Sequence, residues 1–340
     1  MSKFRHRLLQ WAALLLLIWA LLLAAGCGQQ EKPKKDLNLC SSLGKNVTEL
    51  LAGDFTKKSG IKVNIKYLPA GTFDERMAFL KNNKFDCWLG GTAEEYYLAS
   101  QQNLLQPYVG KEAYKVPAEL RSKQGQWTSL YLGYIAFISN KDKLHAYGLY
   151  APDTWQELLN PQLKDQIAIP ALSAGGASYG MLTSIWQLWG EERAMQFAAG
   201  LNRQEVIYTN GIGDAVELVY SGQKTVAVVP LAYALNLEEH YKHLFATVVE
   251  DANRNLLTGA AIMHGAADSD EAKEFLDYLM SDDSEALLIK NGYQYMWHVK
   301  NYPYNDGRRE LIGDVQVPVD DLSWTAVEKA GNIKAWLEAK

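Results

Sequence analysis

The chain has 340 residues, of which 48% are hydrophobic and 21% charged, with a formal net charge of −5. That is the balance of a globular protein long enough for two domains. The acidic balance argues against nucleic acid as a partner. At the N-terminus, Lys3, Arg5 and Arg7 precede an unbroken apolar run from Trp11 to Ala25 that ends in Ala24-Ala25-Gly26-Cys27. Basic, then apolar, then small residues is the pattern of a secretory signal, and the run is short for a membrane span. Gly28 to Asp36 is polar and without apolar periodicity, so it reads as a tether.

After the tether, Asp36–Cys40 predicts a strand ending at Ser41-Ser42. A helix follows from Asn46 to Ser59, with Val47, Leu50, Leu51 and Phe55 on one face. Ile61–Tyr67 alternates apolar and polar residues, which is a strand. Thr72 and Glu75 have capping-box spacing ahead of a helix carrying Met77, Phe79 and Leu80. Phe85–Leu89 is a third strand, and Gly90-Gly91-Thr92 opens the helix Ala93–Gln102. This β-α-β-α-β-α order implies a mostly parallel sheet covered by helices. Ligands on such sheets collect at the C-terminal strand ends, where Ser41, Ser42, Gly91 and Thr92 fall.

Trp127–Asn140 predicts a long aromatic strand, and a helix starts near Thr154-Trp155. Gln166–Pro170 is a short strand, and Met181–Trp189 an amphipathic helix. Between them lies Ser173-Ala-Gly175-Gly176-Ala177-Ser178-Tyr179-Gly180. A strand, a loop of small residues and a helix start make an anion cradle, because the first helical N–H groups lack partners and carry partial positive charge. The same loop contains G-x-S-x-G, the spacing of a serine-hydrolase elbow, which would make Ser178 a nucleophile with Asp251/His264 or Asp283/His298. The strand ends near Pro170, too early for a tight elbow, and no His-Gly-Gly run precedes Ser178, so a binding role is expected and no catalytic residue. Glu205–Tyr208, then Thr209-Asn-Gly-Ile-Gly213 and the helix Asp214–Tyr220, repeat the strand-loop-helix plan, and Thr225–Val229 leads through Pro230 into a helix carrying Tyr233. Further strands are expected at Phe245–Val249 and Leu256–Met263, and helices at Ser269–Met280, Asp283–Lys290, Leu322–Gly331 and Ile333–Ala339.

Several runs resemble a known family. Leu23-Ala-Ala-Gly-Cys27 resembles the bacterial lipobox, which implies cleavage before Cys27 and a lipid anchor on it. Phe55-Thr-Lys-Lys-Ser-Gly-Ile-Lys-Val63, Asp86-Cys-Trp-Leu-Gly-Gly-Thr92, Leu104-Leu-Gln-Pro-Tyr108 and Asp153-Thr-Trp155 are similar to runs of the type-2 solute-binding proteins of ABC importers, in the iron(III), phosphonate and organophosphate branch. The resemblance implies an α/β, two-lobed type-2 periplasmic-binding-protein fold, each lobe a mixed, mostly parallel sheet flanked by helices, with the ligand cleft between them. The expected segments are a signal peptide at 1–26, a tether at 27–35, a first lobe of 36–135 with 256–300, and a second of 136–255 with 301–340. It also implies an exported monomer held by lipid at Cys27, no cofactor, and a permease with ATPase subunits as partners. Ferric-binding members use adjacent tyrosines where this chain has Pro230-Leu-Ala-Tyr233, with a single Tyr. The loop at Ser173, by contrast, resembles that of phosphonate- and organophosphate-binding members. A small phosphorylated or phosphonate solute is therefore the expected ligand, with ferric iron as the alternative and no protein metal site assigned. The candidate binding residues are Ser41, Ser42, Gly91, Thr92, Ser173, Gly175, Gly176, Ala177, Ser178, Tyr179, Thr209 and Tyr233.

Trp88, Trp127 and Tyr131 are expected in the core, with ligand stacking as the alternative. Cys40 and Cys87 end two neighbouring strands and are a candidate disulfide pair, two buried free thiols being the alternative. His240 and His243 have metal-ligand spacing, but Glu238 and Glu239 beside them favour a solvated helix face.

Overall fold

In a computed structural model, residues 36–69, 71–266 and 269–340 are described, apart from the side chain of Ala174. The expected signal, the lipobox with Cys27 and the tether up to Lys35 lie outside them. The first lobe opens with β1 (Leu37–Ser41), α1 (Lys45–Ser59), β2 (Val63–Tyr67), α2 (Phe73–Asn82), β3 (Cys87–Thr92), α3 (Ala93–Gln101), β4 (Leu105–Gln106) and β5 (Thr128–Gly133). The chain then enters the second lobe with β6 (Ile135–Asn140), α4 (Lys141–Ala146), β7 (Ile167–Pro170), α5 (Gly176–Trp189), α6 (Glu191–Arg203), β8 (Ile207–Thr209), α7 (Ile212–Tyr220), β9 (Val226–Pro230), α8 (Leu231–His240) and β10 (Leu244–Val248). It returns through β11 (Leu256–Met263), α9 (Ser269–Leu279), α10 (Asp282–Lys290) and β12 (Trp297–His298), and ends in α11 (Gly307–Ile312), α12 (Leu322–Val327) and α13 (Lys329–Leu337).

Two sheets result. One has the order β12-β5-β11-β3-β1-β2, with β4 also on β11; the other has the order β10-β6-β9-β7-β8. The nucleus of each is parallel, β2-β1-β3 in the first and β8-β7-β9 in the second, as right-handed strand-helix-strand units require. Antiparallel ladders join the strands that lead into and out of the crossings, β5 with β11 and β6 with β10. The aromatic run expected as one strand, 127–140, serves both sheets. Its two halves part at Tyr134, which is buried.

Asn253 pins this crossing to the returning one. Its buried side chain accepts from Ile135 N at 2.8 Å and donates to Ile135 O at 2.9 Å and Val249 O at 2.6 Å. One core holds Leu39, Phe55, Trp88, Leu130, Ile262 and Phe275, and a second holds Phe137, Trp155, Ile169, Leu182, Phe197 and Trp336. Residues 301–340 do not all pack on the second lobe as expected. Tyr304 and Ile312 join the first core and α12 packs on α3, while α13 packs on α5 and α6. Trp336 is buried in the second core, whereas α12 spans both lobes, against α3 on one side and with Trp324 on Trp186 of α5 on the other.

The disulfide expectation fails. Cys40 and Cys87 are both free and buried. In the parallel ladder Leu39 pairs with Cys87 and Cys40 with Trp88, and this one-residue stagger sends the two thiols to opposite faces of the sheet. Burial pushes the Cys40 thiol up to about 12 and raises that of Cys87 well above its ordinary value. Peptide mapping should therefore find Cys40 and Cys87 unlinked, with both alkylated by a thiol reagent at neutral pH only after denaturation. A linked Cys40–Cys87 peptide would contradict the register.

Candidate ligand-binding site

A cavity of about 340 Å³ opens where the parallel strands of both sheets end. From the first lobe its wall takes Ser42 and Leu43 after β1, Gly90 to Thr92 at the end of β3, Thr258 on β11, Arg76 from α2 and Glu95 from α3. From the second it takes Pro170 after β7, Gly175 to Ser178 at the start of α5, and Ile212 at the start of α7. The starts of α3, α5 and α7 and the loop between β1 and α1 thus converge on one space. Of these helices, only α3 has its first turn closed by a side chain. Thr92 Oγ1 accepts from Glu95 N at 3.4 Å, and Glu95 Oε2 accepts from Thr92 N at 3.0 Å. The N-caps of α1, α5 and α7 are Gly44, Gly175 and Gly211, which carry no capping hydrogen bond. Their opening N–H groups are left to solvent or a ligand.

Two glycines are required here by geometry. Gly90 has φ +94°, and a Cβ on it would stand 2.6 Å from Leu43 N, so the end of β3 could not lie against the loop after β1. Gly175, at φ +79°, turns the chain into α5, where a Cβ would lie 4.0 Å from Thr92 Cγ2 across the cleft.

Sequence reasoning missed the cation of this site. Arg76 reaches it from α2, and its Nη2 meets Glu95 Oε1 at 2.9 Å. Its Nε is buried without a hydrogen-bond acceptor. The Thr72–Glu75 capping box does form and fixes where α2 begins. Nothing in the helix pattern itself tells which polar residue turns toward the other lobe.

Ser42, Gly91, Thr92, Gly175, Gly176, Ala177 and Ser178 therefore lie together on the cavity wall. Five other candidates do not line it. Ser41 is buried, its hydroxyl shared with Thr48 Oγ1 at 2.9 Å. Thr209 donates to Gly211 O at 2.8 Å and shapes the turn before α7. Ser173 is exposed and offers its carbonyl to Lys329 Nζ at 3.1 Å. Tyr179 is buried, donates to Thr325 O at 2.6 Å and packs its ring under Lys329. Tyr233 is 41% exposed on α8, away from the cavity wall. Trp88 is wholly buried and donates from Nε1 to Ser42 Oγ at 3.0 Å, so it belongs to the core and orients a wall residue. His240 and His243 each have a ring nitrogen on a backbone carbonyl, of Asn236 and Tyr220. Among the described residues no three His, Cys, Asp or Glu stand as a metal-holding group.

The G-x-S-x-G spacing has a packing origin. Ser178 donates toward Ala171 O at 3.2 Å and Gly175 O at 3.1 Å, tying the loop to its helix. A Cβ on Gly180 would crowd Leu256 at 3.2 Å and Ile135 at 3.3 Å, the two crossing strands. Neither proposed triad forms. Asp251 accepts from Trp155 N, Asp283 pairs with Lys58, and both ring nitrogens of His298 are buried without partners. A fluorophosphonate probe should leave Ser178 unlabelled in the folded protein; labelling there would establish a nucleophile.

Behind the cavity, Arg254 is almost fully buried just before β11. Its Nη1 meets Glu94 Oε1 on α3 at 2.6 Å and Thr183 Oγ1 on α5 at 2.9 Å, and its Nε meets Asp320 Oδ1 at 2.9 Å. Burial pushes the Glu94 carboxyl up. The Arg254 charge, hydrogen bonds from the Glu94 N–H and Thr92, and the Lys329 charge outweigh burial and hold it below its ordinary value. A folded value below the unfolded one contributes stability above the unfolded value and loses it as pH falls through the folded one. Melting temperatures followed from about pH 6 to about pH 3 should fall more steeply for the parent than for Glu94→Gln. Parallel curves would show that Glu94 is not held ionised by this cluster.

Residues 38–294 match the family model described as bacterial extracellular solute-binding protein. A Haemophilus influenzae protein of uncharacterized function is 29% identical over 260 residues, covering 73% of this chain and 74% of that one. Iron uptake protein A1 of a Synechocystis species is 25% identical over 299 residues, covering 80% and 81%. Among solved structures, the periplasmic binding protein AfuA of Actinobacillus pleuropneumoniae with fructose-6-phosphate superposes with a TM-score of 0.76 at 22% identity, covering 90% of this chain and 98% of that one. Iron-bound HitA of Pseudomonas aeruginosa gives 0.74 at 17% identity, covering 89% and 99%. The two-lobed fold is common to solute-binding proteins whose ligands differ.

Proposed function

The chain belongs to the bacterial extracellular solute-binding proteins, the substrate-binding components of ABC importers, and from that premise we propose that it captures a small phosphorylated or phosphonate anion in the interlobe cavity. The observation that carries this reading is the meeting of two uncapped helix starts, that of α5 at Gly175 to Ser178 and that of α7 at Ile212, with Arg76 on one cavity. Backbone N–H groups at helix starts bind anions through their unpaired hydrogens and the helix dipole. Arg76 adds a guanidinium whose charge is shared with Glu95 and whose Nε has no acceptor of its own. The hydroxyls of Ser42, Thr92 and Thr258 supply further polar contacts along the same wall.

Ferric iron calls for hard anionic oxygens. The wall of this cavity contains one carboxylate, Glu95, already bonded to Arg76 and to Thr92 N, and no tyrosine. The iron in the name of a relative and in a neighbour's bound state therefore fits these residues less well than the phosphate ester in another's.

Both lobes wall the cavity, so a solute that touches both stabilises the closed arrangement over an open one. The hinge is the pair of crossings at Tyr134 and 249–255, which carry few residues and are tied together by Asn253. The closed, loaded protein then docks on a membrane permease. Export of the chain and its lipid anchoring at Cys27 belong to the same reading.

A thermal-shift panel tests it. Fructose 6-phosphate, a phosphonate or inorganic phosphate should raise the melting temperature, since binding to the native state adds stability in proportion to the logarithm of ligand concentration over Kd. Arg76→Gln should weaken every phosphorus ligand by about tenfold or more, the loss of a charge-assisted hydrogen bond. A shift with ferric citrate alone would overturn the anion reading.

A further inference from the structure

Lys329 is the first residue of α13, and its side chain reaches the loop that opens α5. The ammonium donates to Ser173 O at 3.1 Å and lies over the ring of Tyr179, 5.0 Å from its centroid. The bond to Ser173 uses one of the three N–H groups that an ammonium carries. Among the described residues no carboxylate stands within ion-pair distance of it. Glu94 and Glu95 act on it by charge from farther away, and each is bonded to another cation, Glu94 to Arg254 and Glu95 to Arg76. Helix energetics does not account for the position either, because a cation in the first turn faces the positive end of the dipole.

This ammonium borders the cavity. Gly175 lines the cavity wall, and a Cβ built on it would stand 3.6 Å from Lys329 Nζ and 4.0 Å from Thr92 Cγ2. The space that the glycine leaves open is thus flanked by the ammonium on one side and by the first lobe on the other. Burial pushes Lys329 toward losing its proton. The charges of Glu94 and Glu95 oppose that, those of Arg76 and Arg254 add to it, and the balance falls below the ordinary lysine value. An ammonium taken from water without a counter-ion is unfavourable, and an anion brought beside it removes the penalty.

Granted the anion reading above, we propose that Lys329 is a binding residue for the solute, directing a second N–H through the gap at Gly175 to the anion while it holds Ser173 O. The C-terminal helix then completes the site. Arg76 stands on the first lobe, and Lys329 on a helix packed against α5 and α6 of the second. One anion held between these two cations favours the arrangement in which both lobes reach it.

Titration of the purified protein with fructose 6-phosphate, methylphosphonate and inorganic phosphate tests the inference. Lys329→Met keeps a stem over Tyr179 and removes the charge. It should weaken the tightest of the three ligands by about tenfold or more, the scale of one charge-assisted hydrogen bond, and Lys329→Arg should recover most of the loss. A pH series separates contact with the anion from a merely structural tie to Ser173. Between about pH 8.5 and about pH 10 the phosphorus group is already ionised, and the surrounding carboxylates and guanidiniums keep their charge. Those groups are Glu94 and Glu95 on α3, Arg76 on α2, Arg254 before β11 and Glu328 beside Lys329. Tyr179, under the ammonium, is pushed up to about 12 by burial, beyond this range. The parent should therefore lose affinity as rising pH removes the Lys329 proton, while the affinity of Lys329→Met stays level. Unchanged affinity in Lys329→Met, or pH curves that run parallel for it and the parent, overturns the contact and leaves the anion site standing. Absence of binding by all three compounds overturns the anion reading, and this inference with it.

Discussion

A single buried guanidinium ties the two lobes together behind the cavity. Arg254 stands on the crossing back to the first lobe and bonds Glu94 at the start of α3, Thr183 in α5 and Asp320 in the C-terminal segment. A charge so deeply buried persists only where acceptors surround it, and removing a partner from such a cluster costs on the order of 3–5 kcal/mol. The cluster therefore fixes α3 and α5, whose first turns form opposite walls of the cavity, relative to the crossing that carries Arg254. The C-terminal helices reinforce the arrangement: α12 lies against α3 and also meets α5, where Tyr179 bonds Thr325 O, and α13 packs on α5 and α6, with Lys329 bonded to Ser173 O.

The proposed anion site rests on where helix ends are capped and where they are not. Thr92 and Glu95 satisfy the first turn of α3, and Glu95 then has an oxygen left to hold Arg76. At Gly175 and Gly211 there is no side chain to perform that service, so the N–H groups stay available. Glycine at a helix start thus has two consequences here: it admits a close approach of the backbone, and it leaves donors unpaired. The same loop explains its hydrolase-like spacing without chemistry. Ser178 bonds backone carbonyls, and Gly180 clears room for the crossing strands.

Local sequence signals named half of the residues on the cavity wall. Small residues at strand ends mark Ser42, Gly91, Thr92 and Gly175 to Ser178, because a parallel strand-helix unit places its loops at one edge of the sheet. The same signals also named Ser41, Thr209 and Tyr179, which sit one residue or one helix face away and turn inward. Strand alternation and helical rotation reverse a side chain's direction within one position, and composition does not register that. Arg76 and Lys329 escaped notice for a related reason. Each is an ordinary polar residue within its own segment, and each acquires meaning only from a partner that the fold supplies or withholds.

The sequence by itself determined the strand-helix alternation, the Gly-rich strand ends, the capping box at Thr72, and through these two lobes with a cleft between their loops. These are short-range properties, set by periodicity and by the few residues that start and stop helices. Tertiary structure decided what depends on register and on long-range contact. It placed Cys40 and Cys87 on opposite sheet faces, split the 127–140 run between two sheets, and shared the C-terminal segment between both lobes. It also brought Arg76 to the helix starts and Lys329 to the carbonyl of Ser173. A one-residue shift in pairing or a turn of a helix would change each of these while leaving the local pattern intact.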